Sequence, residues 1–373
     1  MEDAKDDLGA LVWGQAEQRA AHGDASYVRE LGSQLADRHA AAVEQVREYE
    51  RQLAHVVRVL ALTPSRDSLV QLLRLLDEKR PFTAGSNLAP RFVASLLAEH
   101  QHVSDLAATV FDRNEREPHR LDELRACLFH ELVLRGVDVE QFPPLRCWLL
   151  VRPGWQALSW LPVQRRDFEA GVGFPSRSMH GSASGSGTGV PTEGRVDPPT
   201  PRTSERSALR DIATTEVHET IVAAVQAGDW GDCGAWVFML DEAVAPARVP
   251  ALLPTLPMPC VDGLSPTDRF EIAVRPVDEI WRLLFVTASM GGMHSSGVQG
   301  AYGRLWAWRS MAGLSGAPAG ASADEVERHV RQSTWFHFEA DADWFQNDIY
   351  DYGIAALSPD LRRIAVLAAT DTD

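Results

Sequence analysis

Apolar residues recur at every third or fourth position from about Ser26 to Leu150, a spacing that is typical of helices buried on one face. In the clearest segment, residues 41–62, the regularly spaced apolar residues are Val43, Val46, Leu53, Val56, Val57 and Leu60. Similar but shorter segments follow, and Pro64, Pro81 and Gly136 mark the ends of helices. The pattern predicts an all-helical N-terminal domain over residues 1–165, either a bundle or a short helical stack. Within it, residues 149–151 predict a short strand.

The periodic pattern stops in the middle of the chain. Residues 171–207 are dense in Gly, Ser, Thr and Pro and contain almost no apolar residue. Such a composition has no core to join, so it predicts a disordered linker over residues 166–207.

The C-terminal domain, residues 208–373, alternates between helical and strand-like patterns. We predict helices at 208–227 and 277–288, a helix through Trp306, Trp308 and Met311, and a helix opened by Ser322 with Glu325 as a capping box. The predicted strands are 235–240, 270–274, 335–339, 349–357 and 363–370. The last two are apolar on both faces and should therefore be central. The fold class predicted for the whole chain is α+β, with a small mixed or antiparallel sheet flanked by helices in this domain.

Charge and composition exclude several classes of partner. The 373-residue chain has a formal net charge of −16, which predicts no binding to nucleic acid and no docking on an anionic membrane surface. This charge is consistent with simple solubility, and it is also consistent with a basic protein partner. The acidic N-terminus does not resemble a secretory signal, and the four cysteines form no close pair. We therefore expect a cytoplasmic protein.

Carboxylates and aromatic residues concentrate near the C-terminus, where Glu339, Asp341, Asp343, Asp348 and Asp351 occur among tryptophans, phenylalanines and tyrosines. This density suits a hard cation, an acid–base pair, a partner-binding surface or a solvated edge. A calcium loop is excluded because the pattern has Phe345 at a ligand position and no loop glycine. The candidate binding residues are Glu339, Asp341, Asp343, Trp344, Asp348 and, from an earlier segment, His294.

Three segments resemble known catalytic or binding motifs in part, but each lacks a residue that the motif requires. Gly297, Gly300 and Gly303 lack the Gly-Lys-Ser/Thr ending of a phosphate loop, so close helix packing is the simpler interpretation. The neighbourhood of His294 does not match a nucleophile elbow. Residues 129–131 begin like a zinc-protease helix, but Leu134 occupies the position of the second histidine. We therefore expect no cofactor and no metal site.

Two segments carry a family resemblance: GAYGRLWAWRSMAGL, residues 300–314, and RIAVLAATDTD, residues 363–373. In these segments the chain resembles an uncharacterised family of actinobacterial (Streptomyces-like) proteins with no assigned function. The resemblance covers the C-terminal half well and the helical half loosely. It implies that the two segments belong to a shared core, and it supplies no catalytic residues.

The leading hypothesis from the sequence is a non-enzymatic cytoplasmic interaction protein with an acidic aromatic surface. The first alternative is a metal-dependent hydrolase or transferase that uses the 339–348 carboxylates together with His294. The second alternative is an immunity-type inhibitor of a basic toxin.

Overall fold

A computed structural model describes residues 3–41, 46–79, 88–111, 121–184, 209–265, 268–345 and 351–371. The chain divides into two compact units. The N-terminal unit comprises Met1–Ser159 and Pro175–Gly185, and the C-terminal unit comprises Trp160–Phe174 and Ser186–Asp373. Of the predicted linker, residues 185–207 lie outside the described residues. Within residues 166–184, Phe168 and Glu169 are buried.

The N-terminal unit is built from helices. These are α1 (Asp3–Ala21), α2 (Ala25–Ala41), α3 (Val46–Leu62), α4 (Arg66–Lys79), α5 (Pro90–His100), α6 (Val103–Val110), α7 (Asp122–Leu134) and α8 (Pro143–Val151). Of the predicted apolar stripe, Leu53, Val56, Val57 and Leu60 lie in the core of the unit and are at most 3% exposed. Val46, at the first position of α3, is exposed, and Val43 lies outside the described residues. The strands β1 (Ser176–Arg177) and β2 (Ala183–Ser184) add a small antiparallel hairpin.

The prediction of a short strand at residues 149–151 is wrong, because these residues end helix α8. Prolines in its first turn favour helix initiation there. Leu145 and Trp148, three residues apart, are buried on one face, while Leu150 is exposed. The apolar residues 149–151 therefore belong to a helix with one buried face and one solvent-exposed face.

The C-terminal unit combines six α-helices and six strands in its described part. The helices are α9 (Thr215–Ile221), α10 (Ala223–Ala227), α11 (Val249–Leu252), α12 (Val277–Met290), α13 (Gln299–Ser315) and α14 (Ala323–Gln332). The strands are β3 (Leu209–Asp211), β4 (Asp232–Leu240), β5 (Phe270–Arg275), β6 (Thr334–Ala340), β7 (Tyr352–Leu357) and β8 (Arg363–Thr370). The α+β fold class is confirmed. Ser322 caps α14, since its hydroxyl accepts a hydrogen bond from the Glu325 amide at 3.3 Å, which is the N-cap half of the predicted capping box.

The strands form one antiparallel sheet in the order β3-β4-β8-β7-β6-β5. The two strands predicted to be central, β7 and β8, occupy the middle of this order. Phe238, Phe336, Ala355 and Val366 point to one face and pack against the apolar residues of the segment 244–264. Helices α12 and α13 pack against strands β6, β7 and β8. Coverage of both faces explains why the central strands are apolar throughout.

The predicted helix over residues 208–227 starts too early. Leu209–Asp211 is instead the edge strand β3, in which Leu209 pairs with Leu240. The Asp211 carboxylate accepts a hydrogen bond from the Ala213 amide at 2.9 Å, and this turn separates the strand from the helix. Thr214 then caps α9, because its hydroxyl accepts from the Val217 amide.

In the described part of the chain, every helix is too short or too polar to cross a membrane.

Candidate functional site

The chain forms a short turn directly after strand β6, and we call residues 341–345 the acidic turn. The Asp341 amide donates a hydrogen bond to the Arg269 carbonyl at 2.9 Å, and the Phe345 amide donates to the Ala342 carbonyl at 3.0 Å. Ala342 and Phe345 are 4% and 3% exposed and belong to the core beneath the sheet. Two buried side chains and two backbone hydrogen bonds therefore hold the turn in place.

The carboxylates of the acidic turn face solvent. Asp341 and Asp343 are exposed, and neither carboxylate has a hydrogen-bond or ion-pair partner within the described ranges. Glu339, the last acidic residue of β6, differs because Arg269 donates to its carboxylate at 3.0 Å. Arg269 is shared with Glu271, at 2.8 Å. In the described part of the chain, the carboxylates of Asp341 and Asp343 therefore keep a negative charge that Arg269 does not compensate.

Trp344 contributes to both the surface and the core. Its ring lies 4.9 Å from the Phe345 ring in an edge-on arrangement and 6.4 Å from the Trp236 ring. It is half-buried and packs against the core cluster. Part of the ring remains accessible beside the two free carboxylates, which is the combination common in the centre of interfaces.

His294 lies at the same edge of the sheet as the acidic turn, but at the end of a different strand, β8. It is exposed in the loop after α12, where the neighbouring Met293 amide donates to the Asp371 carboxylate at 2.7 Å. Asp371 follows β8, and β7 separates β8 from β6. Strands two apart in a sheet are separated by about 10 Å. The structure thus places Glu339, Asp341, Asp343 and Trp344 together and puts His294 beside Asp371.

Asp348 lies outside the described residues. Among the residues that are described, no group of three or more His, Cys, Asp or Glu side chains is arranged to hold a metal ion. The chemistry that the acidic turn offers is electrostatic attraction of a cation or a cationic side chain.

The glycine-rich segment serves helix packing, as the sequence indicated. A Cβ atom at Gly303 would lie 2.6 Å from the Ser289 Cβ, on the facing helix α12. Gly297 has a φ of +59°, and a Cβ there would lie 2.3 Å from the Ser289 carbonyl oxygen. The absence of side chains at these positions lets α12 and α13 approach closely.

The structure also contains a pocket of about 460 Å³ in the C-terminal unit that the sequence patterns did not predict. Its charged lining residues are Glu216, Arg309 and Arg363, which come from three separate segments. These three residues are far apart in the sequence, so no sequence motif identifies them as one site. The only sequence signal is the run of small residues at 316–321.

Comparison with known proteins agrees with the family resemblance. No curated protein and no solved structure matches this chain. The model of a family of unknown function, DUF6183, matches residues 10–373 and so covers the helical unit as well as the C-terminal unit. The resemblance to an uncharacterised family is thereby confirmed, and the chain belongs to the family of unknown function DUF6183.

Proposed function

We propose that the protein is a non-enzymatic cytoplasmic interaction protein that binds a basic protein partner through the acidic turn. The observation that carries the proposal is the pair of exposed carboxylates, Asp341 and Asp343, which have no partner in the described chain and lie on an anchored turn. The half-buried Trp344 supplies an aromatic contact beside them.

An anchored turn binds more favourably than a mobile one because less conformational entropy is lost on binding. Ala342 and Phe345 fix the backbone between and after the two carboxylates. Exposed charges act mainly through long-range attraction, which raises the association rate and weakens as salt is added. The net charge of −16 adds to this attraction for any basic partner.

The position of His294 favours binding over metal-dependent catalysis. The catalytic alternative needs His294 to join Asp341 and Asp343 around one ion. His294 lies in the loop whose Met293 amide contacts Asp371, at the same sheet edge as the acidic turn but two strands away, a separation of about 10 Å between the strands. Binding of a basic partner needs no such convergence.

The test uses an arginine-rich peptide as a defined basic probe, with affinity measured by fluorescence anisotropy. We expect the double variant Asp341→Asn/Asp343→Asn to bind about five-fold more weakly, because two exposed charge interactions are lost. The matched control is Glu219→Gln/Glu242→Gln, which removes two exposed carboxylates that also lack partners in the described chain.

The control has the same net charge as the test variant, so it separates a local site from general attraction. Equal weakening in both double variants would overturn the proposal, because it would show that only the total charge matters. Trp344→Ala should also weaken binding of the peptide. This loss should persist at high salt, because salt screens the charges of the acidic turn but not the aromatic contact.

A further inference from the structure

The pocket of the C-terminal unit lies where helix α13 ends. Gly316 adopts a left-handed conformation, with φ of +72°, and terminates the helix. The loop that follows, residues 316–321, consists of glycine, alanine and proline. Because these residues carry little or no side chain, the space above them stays open. The resulting volume of about 460 Å³ lies within the range of ligand pockets.

One wall of the pocket is aromatic and fixed. The Trp160 indole nitrogen donates a hydrogen bond to the Ala321 carbonyl at 3.0 Å. Its ring is half-buried and meets the Trp308 ring edge-on at 6.2 Å. The indole therefore offers an apolar surface in a defined orientation.

Arg363, the half-buried arginine of the pocket, already has hydrogen-bond partners. The Arg363 guanidinium donates to the carbonyls of Leu314 and Gly313 at 2.7 and 2.8 Å. Burial lowers the pKa of Arg363 to about 10. This side chain holds the end of α13 and forms part of the pocket floor.

Two charges remain available on opposite sides of the pocket. Arg309 is exposed, and among the described residues its guanidinium has no ion-pair partner and lies 4.8 Å from the Trp306 ring. Glu216 is exposed, and its carboxylate has no hydrogen-bond or ion-pair partner in the described chain. Both side chains line the same pocket without forming an ion pair with each other.

The helix packing sets the separation of these charges. Gly313 lies against Ile221, and the Ser310 hydroxyl accepts from the Ala224 amide, so the two helical segments run in opposite directions. Arg309 precedes Gly313 by four residues and Glu216 precedes Ile221 by five. At 1.5 Å per residue, their Cα atoms are about 13 Å apart along the helices. Because both residues line the pocket, their charged groups can hold the two ends of a short extended molecule between them.

We propose that this pocket binds a short peptide of two or three residues with free termini, whose carboxylate is held by Arg309 and whose ammonium group is held by Glu216. An extended chain spans about 3.3–3.6 Å per residue, so a tripeptide matches the gap better than a single amino acid. A ligand with one charge leaves the other side chain unpaired and is repelled by it. A ligand with both charges satisfies both side chains.

The test measures binding of trialanine, N-acetyl-trialanine, trialanine amide and free alanine to the full chain by calorimetry. Trialanine should bind about ten-fold more tightly than either blocked form, a difference of about 1.4 kcal/mol. Free alanine should bind more weakly than trialanine. Equal affinity for the three tripeptides, or no binding of trialanine at millimolar concentrations, overturns the proposal.

Charge variants test the two contacts separately. Arg309→Gln and Glu216→Gln should each lower the affinity for trialanine to that of the blocked peptides. The double variant Arg309→Glu/Glu216→Arg should restore binding, because it keeps both charges and reverses the peptide. The control Glu219→Gln changes an exposed carboxylate on α9 that does not line the pocket and should bind normally. Failure of the swapped variant, with unchanged thermal unfolding, would refute the assignment of the termini.

Discussion

Arg304 and Glu169, which are 135 residues apart, form an ion pair with no solvent exposure. The guanidinium donates to the two carboxylate oxygens at 2.7 and 2.8 Å. The Trp308 indole nitrogen donates to the same carboxylate at 2.7 Å. Arg304 also donates to the Pro162 and Gln164 carbonyls at 3.0 and 3.1 Å. One arginine of α13 therefore fastens the segment 162–169 to the rest of the C-terminal unit.

Removing one member of this pair should destabilise the unit strongly. The variant Glu169→Gln removes the carboxylate charge that pairs with the buried Arg304 guanidinium. We expect a loss of about 3–5 kcal/mol in the free energy of unfolding, measured by urea denaturation. The control Arg282→Met breaks an exposed pair with Asp278 at 3.6 Å and should cost less than about 0.5 kcal/mol. The interpretation fails if the two variants cost the same.

The double variant Glu169→Leu/Arg304→Met separates the ion pair from the burial of each charge. Its cost should be clearly smaller than the sum of the two single costs, because no unpaired charge remains. Additive costs would show that the two side chains act independently.

The local pattern of apolar residues was sufficient to predict the central sheet. Residues 363–370 are apolar on both faces, and β8 has these bounds and lies between β4 and β7. The edge strand β3 was missed because it has three residues and pairs only with β4. The residues that follow β3 have the spacing of apolar residues typical of a helix. Prediction from the sequence pattern alone therefore includes β3 in that helix.

The candidate site was predictable only where its residues are adjacent in the chain. Glu339, Asp341 and Asp343 lie together because one strand end carries them. The position of His294 depends on the strand order β8-β7-β6, which is a property of the tertiary fold. The same holds for the pairing of Glu169 with Arg304, since no sequence spacing connects them.

Gly303 provides a test of close packing between α12 and α13. A Cβ atom there would lie 2.6 Å from the Ser289 Cβ and 3.1 Å from the Ser289 Cα. Removing this steric clash requires the backbone of one of the two helices to move. We expect Gly303→Ala to lower the free energy of unfolding by about 1–3 kcal/mol. The expected loss exceeds the gain in helix propensity that alanine brings.

Gly14 in α1 is the matched control for that substitution. A Cβ atom there would meet nothing within 4 Å. Gly14→Ala should therefore stabilise its helix by about 0.5–1 kcal/mol, through the unfolded state and helix propensity. Because Gly14 belongs to the N-terminal unit, the unfolding of the two units is followed separately by hydrogen exchange. Stabilisation by Gly303→Ala would contradict the packing explanation.

Cys260 should make the C-terminal unit sensitive to alkaline pH. The side chain is fully buried in the core beneath the sheet, and burial raises the pKa of its thiol from 9.0 to about 12. Below pH 9 the thiol is protonated in both the folded and the unfolded chain and contributes no pH dependence. Between these two pKa values only the unfolded chain releases the proton, so stability falls as pH rises, by up to about 1.4 kcal/mol per pH unit.

The measurement compares urea unfolding of the wild type and Cys260→Ala between pH 8 and about pH 11. The variant should lose about 1 kcal/mol at pH 8, because the smaller side chain leaves a small cavity. Its stability should then decline less steeply above pH 9, so that the difference between the two proteins shrinks as pH rises. Burial also raises the pKa values of Cys127 and Tyr352, but both groups are present in both proteins, and their effect cancels in the difference. Parallel pH profiles would show that the Cys260 thiol is accessible to solvent or already ionised.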